Sequence, residues 1–88
     1  MNESGCWDVV LADHADHFNL GLVVYEAGAG TPAWTATMLA GKMPRPAKAE
    51  AFIRAEFKKR GLEVSSVAPG RRVKEGPLVR WFWQVETL

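Results

Sequence analysis

The sequence has a single cysteine, Cys6. One thiol cannot close an internal disulfide, so the fold does not depend on an oxidising compartment. Long apolar runs are missing too; none approaches the roughly 20 residues that a bilayer-spanning helix needs. The first residues, Met1–Gly5, are polar and lack the basic and apolar regions of a secretory leader. These absences together lead us to expect a cytoplasmic protein. Net charge is nearly absent: 11 Lys and Arg against 10 Asp and Glu leave +1. No global field therefore draws the chain to nucleic acid or to an anionic membrane. Repeats and low-complexity tracts are also missing.

Apolar residues are abundant, at 48% of an 88-residue chain, which is ordinary for a folded globule and too many for a disordered one. The length fits a single domain, residues 1–88. Such a chain buries only about 60–65% of its unfolded surface, which leaves little depth for a water-excluding active site. Four tryptophans, Trp7, Trp34, Trp81 and Trp83, are many for this size. Each can anchor a small core or an interface.

Apolar residues alternate over Cys6–Ala12, with Trp7, Val9 and Leu11 on one face and Asp8 and Val10 on the other. This is strand periodicity. Asp13–Asn19 reads as a polar connection. Leu20–Glu26 is a second strand, apolar on both faces and therefore expected to lie centrally in its sheet. Ala27–Pro32, with Gly28 and Gly30, is a turn. Ala33–Leu39 alternates again as a third strand, and two prolines break the pattern over Gly41–Pro46.

Pro46–Arg60 has helical spacing: Ala49, Phe52, Ile53 and Phe57 form one stripe. Pro46 suits the first helical position. Glu50 and Arg54, and Glu56 and Arg60, stand four residues apart as ion pairs. Gly61 fits a left-handed cap that would fold Leu62 back onto Phe57. Leu62–Val67 resumes an extended pattern, Pro69–Pro77 reads as a charged loop, and Leu78–Glu86 is the strongest strand. The last sets Val79, Trp81, Trp83 and Val85 against Arg80, Phe82 and Gln84. The order β-β-β-α-β-β predicts an α+β fold: an antiparallel sheet of four to five strands with one amphipathic helix packed on one face. Trp81 and Trp83 would then lie beneath the helix. Tyr25 and Phe82 would lie on the face without one.

Four clusters could carry chemistry. Asp13-His14-Ala15-Asp16-His17 holds metal-ligating residue types, with Cys6 and Asp8 nearest along the chain for a third ligand. The spacing is not that of a known site, and a solvated loop is the preferred reading. Cys6 lacks the orienting group and oxyanion site of a nucleophile. Gly28-Ala29-Gly30-Thr31 superficially resembles a phosphate loop, but Pro32 and a strand follow where a Lys-Ser/Thr pair and a helix are required. Arg71, Arg72 and Lys74, with Arg80 and Phe82 nearby, could form a small platform for single-stranded nucleic acid. Glu63 and Glu75 dilute that patch.

No cofactor, metal site or catalytic set is expected, and the chain reads as non-enzymatic. The expected binding residues are Tyr25, Arg71, Arg72, Lys74, Arg80 and Phe82, because aromatics and arginine dominate binding hot spots. A protein partner is the leading expectation. Nucleic acid bound at Arg71–Lys74 is the alternative, and a homodimer is left open. In size and architecture the chain resembles small accessory proteins of phages and mobile elements, such as anti-CRISPR proteins. That resemblance implies an inhibitor that covers a surface of a host defence complex.

Overall fold

The computed structural model describes residues 5–14, 19–39 and 44–88. The helix forms where its spacing predicts, as α1 (Pro46–Lys59). Pro46 sits in its first turn, where a missing N–H costs nothing. Ala49, Ile53 and Phe57 are buried, and Phe52 is half-buried. The C-terminus is closed by a full Schellman motif. Gly61 adopts φ 75°, its N–H bonds the Lys58 carbonyl at 3.0 Å, and the Leu62 N–H bonds the Phe57 carbonyl at 3.1 Å. Leu62 thereby returns to the core edge.

The strands are β1 (Gly5–His14), β2 (Asn19–Glu26), β3 (Trp34–Leu39), β4 (Val64–Glu75) and β5 (Leu78–Thr87). They form one antiparallel sheet in the order β3-β2-β1-β5-β4. The central strand is β1, and β2 is interior beside it, since the helix carries the chain from the β3 edge to the opposite edge. The hairpin of β4 and β5 then inserts β5 next to β1. Between β2 and β3, the Ala29 N–H bonds the Glu26 carbonyl at 2.9 Å with Gly28 at φ 83°. A type II turn needs that positive φ at its third residue.

The segment read as a charged loop, Pro69–Pro77, is a strand as far as Glu75. Proline and clustered charge both oppose a central strand, but β4 is an edge, where an N–H lost to proline can face solvent. Two register shifts, between Val64 and Ser66 and between Pro69 and Arg72, absorb the irregularity as bulges. The turn to β5 holds only Gly76, at φ 58°, and Pro77. A two-residue hairpin of the II′ type asks for a glycine first.

Odd-numbered residues of β1 from Trp7 to Leu11 and of β5 from Trp81 to Val85, with even-numbered ones of β2 and β3, face α1. Val9, Leu11, Leu22, Val24, Trp81, Trp83 and Val85 pack there against Ala49, Ile53 and Phe57. Trp7 and Trp34 meet the Phe57 ring edge-on, with centroids 5.6 and 5.1 Å away. The Trp7 indole donates to the buried Thr87 hydroxyl at 3.0 Å. Trp34 and Trp83 bury indole N–H groups that have no acceptor among the described residues, each costing about 1–3 kcal/mol. Area burial in this core therefore outweighs imperfect polar pairing.

Candidate functional site

The opposite face of the sheet carries the other half of the alternation: Asp8, Val10 and Ala12 from β1, Val23 and Tyr25 from β2, Thr35 and Thr37 from β3, and Arg80, Phe82 and Gln84 from β5. Among the described residues no second helix covers it. Register aligns this face: Val10 stands opposite both Val23 and Phe82, Asp8 opposite Tyr25 and Gln84, and Ala12 opposite Arg80. The result is an apolar band through the middle, ended by Asp8 and Gln84 on one side and by Arg80 on the other.

Two depressions of about 360 Å³ each are sunk into this face. One lies between β1, β5 and β4 and is lined by Asp8, Val10, Phe82, Gln84 and the Ala68-Pro69-Gly70 bulge. Gly70 opens it: a Cβ there would stand 2.9 Å from the Phe82 carbonyl oxygen, so only glycine lets β4 run this close to β5. The other is lined by Val10, Ala12, Val23, Tyr25, Arg80 and Phe82. Val10 and Phe82 line both and form the ridge between them. Tyr25 and Phe82 are half-buried by these neighbours rather than fully exposed. Arg80 is exposed and bonds Glu75 at 3.3 Å; an exposed pair of this kind contributes little stability.

Of the six residues expected to bind, the fold brings Tyr25, Arg80 and Phe82 together and separates the rest. Val73 pairs with Arg80, whereas Arg72 pairs with Trp81 and Lys74 with Val79, on the helix side of the sheet. The Arg72 guanidinium lies 4.0 Å from the Trp81 ring centroid and closes that end of the core by a cation–π contact. Arg71 is exposed at the bulge. A platform combining Arg72 and Lys74 with Phe82 is therefore ruled out by register. A second cation–π contact places Arg60 3.7 Å from Trp34.

Alternation alone sets Asp8, Val10 and Gln84 on the faces opposite the core stripes, yet nothing local marks them as part of a site. The signal was their parity. What was missing was the adjacency of β1 and β5, which joins the first strand to the last.

The remaining candidates fall away or lie elsewhere. Cys6 is exposed at one end of β1, opposite Glu86. The backbone of His14 is eight positions along the same strand, about 26 Å away at strand rise. Residues 15–18, including Asp16 and His17, lie outside the described residues. Among the described residues no three His, Cys, Asp or Glu side chains gather as a metal site. No helix among them is long and apolar enough to cross a membrane. Glu56 is buried on α1 between Lys59, at 2.9 Å, and Arg60, at 3.2 Å. The Lys59 hydrogen bond holds its carboxyl below the ordinary value, with Arg60 adding to this and burial opposing it. That cluster belongs to the helix end, where cations complement the dipole.

Comparison with protein-family models, curated proteins and solved structures finds no match for this chain. The class that can be assigned is an α+β fold, a five-stranded antiparallel sheet with one helix packed against it.

Proposed function

We propose that this chain is a non-enzymatic binding protein that occupies a surface of a protein partner with its open sheet face. The observation that carries the reading is the pair of depressions sharing Val10 and Phe82 on the sheet face opposite α1. Each is sized for a large apolar side chain of a partner, and the polar groups at the ends, Asp8, Gln84 and Arg80, supply orientation. Interface energy concentrates in such central apolar pockets with polar rims. An uncovered apolar band of this kind marks an interaction surface more often than an idle one.

The finer reading is an inhibitor of a host defence complex, carried by a phage or mobile element and acting in the cytoplasm by steric occupation. What supports it is the size and architecture of the chain. A photo-crosslinking residue placed at position 82 or 25, in cells that carry the gene, tests both levels. One discrete protein adduct from these positions, competed by wild-type protein and absent when the probe replaces Lys48 on the helix, is the expected result. Equal labelling from both faces, or none from the open one, overturns the reading. Identification of the adduct as a subunit of a defence complex supports the finer reading, and any other protein refutes it.

Nucleic-acid binding is the second reading. Ten of the eleven Lys and Arg lie from Arg45 onward, and Arg71 and Lys74 are exposed on an edge hairpin. It requires salt-dependent gel shifts that Arg71→Glu and Lys74→Glu weaken. Absence of a shift at low salt removes it.

A further inference from the structure

The two edges of the sheet are built differently. The β4 edge carries Pro69, two bulges and the charges of Arg71, Arg72 and Lys74, the devices that keep an edge from pairing with another chain. The β3 edge carries none of them. Trp34–Leu39 holds no charge and no proline, its register with β2 is unbroken over all six residues, and among the described residues it pairs with β2 alone. Its outer N–H and C=O groups are a template for one more strand.

We propose that β3 is the docking edge for a second copy of this chain, pairing antiparallel with itself about Ala36. A two-fold interface sets a strand against its own reverse, so any charge near the axis would meet its like. The stretch from Ala27 to Gly41 contains no charged residue, which is what self-pairing requires and what a charged partner strand would not select. Centring on Ala36 sets Thr35 opposite Thr37 of the second copy on the open face, where both are exposed, and hydroxyl pairs are favourable cross-strand neighbours. The same register sets Trp34 opposite Met38 on the helix side, a sulfur–aromatic pairing. Side-chain alternation is preserved through the axis, so the two open faces continue as one surface.

A pairing of five residues from each copy, Trp34–Met38, is smaller than a standard interface, so association in the micromolar range is expected. Sedimentation velocity from micromolar to near-millimolar protein tests the proposal. Wild type self-associates, and hydrogen exchange of the alternate, outward-facing amides within Trp34–Met38 slows with concentration. The double variant Thr35→Lys/Thr37→Lys, altering only exposed side chains, associates about tenfold or more weakly. Phe82→Arg and Lys74→Glu associate like wild type. A strict monomer throughout the range, exchange at β3 independent of concentration, or association that survives the lysines and is lost with Phe82→Arg would overturn it. The last outcome would assign self-contact to the open face and leave the surface proposed above intact.

Discussion

Phe82 and Trp83 are consecutive residues of β5 with similar bulk and opposite fates. Trp83 is 1% exposed beneath α1, in contact with the residues that hold the fold together. Phe82 lies half-buried on the face opposite α1, between two depressions. The same contrast runs across the sheet: Val9 against Val10 and Val24 against Val23. One face is packed with large side chains down to stray indole N–H groups. The other is smaller, cut by a glycine bulge, and ended by charge. Stability in a domain this small must come mostly from the covered face, because area burial scales with what is removed from water. Residues kept on the uncovered face contribute little to that sum.

The contrast can be broken most forcefully at Phe57, which is fully buried against Trp7 and Trp34. Phe57→Ala is expected to cost about 3–5 kcal/mol, read from urea unfolding by tryptophan fluorescence. A cost near that of Phe82→Ala would mean that the faces are equivalent. Gly70→Ala comes next. Its Cβ would meet the backbone oxygen of Phe82, so β4 must move, at about 1–3 kcal/mol. Amide shifts confined to β4 and β5, beside the first depression, are the accompanying sign.

Acid titration probes the helix side at Glu56. The carboxyl of Glu56 is held below its ordinary value by the Lys59 hydrogen bond. A depressed folded pKa gives stability that is complete above the unfolded value and lost as pH falls through the folded one. Unfolding free energy measured from neutral pH downward should therefore decline in the acid range. Glu56→Gln should flatten that decline and lower stability at neutral pH. An unchanged acid limb would show that the ion cluster is idle. The smallest effect is expected at Phe82→Ala, about 1 kcal/mol or less, since its ring already meets solvent.

Much of this fold is legible along the chain because the signals are local. Helical spacing from Ala49 to Phe57, the cap at Gly61 and the parity of Trp81, Phe82 and Trp83 are each set by neighbours a few residues apart. The loop expected over Pro69–Pro77 fails for a physical reason. Proline and charge disfavour a strand in general, yet both are tolerated at an edge, and edge position depends on sheet order. Sheet order depends on where the helix crosses, which no local pattern encodes. The candidate site inherits the same limit. Tyr25, Arg80 and Phe82 could be placed on one face by alternation. Asp8 and Val10 meet Arg80, Phe82 and Gln84 only through the pairing of β1 with β5. Arg72 and Lys74 leave them because one bulge shifts the parity of β4.

The claim that the covered face folds and the open face binds is tested most directly with Phe82→Arg, measured twice: by urea unfolding, and by affinity for the protein crosslinked from position 82. The account predicts an unfolding free energy within about 1 kcal/mol of wild type and binding weakened about a hundredfold or more, as for a central interface anchor. Unchanged affinity in a folded Phe82→Arg protein, with binding lost instead through Lys48→Glu on the helix, would contradict it.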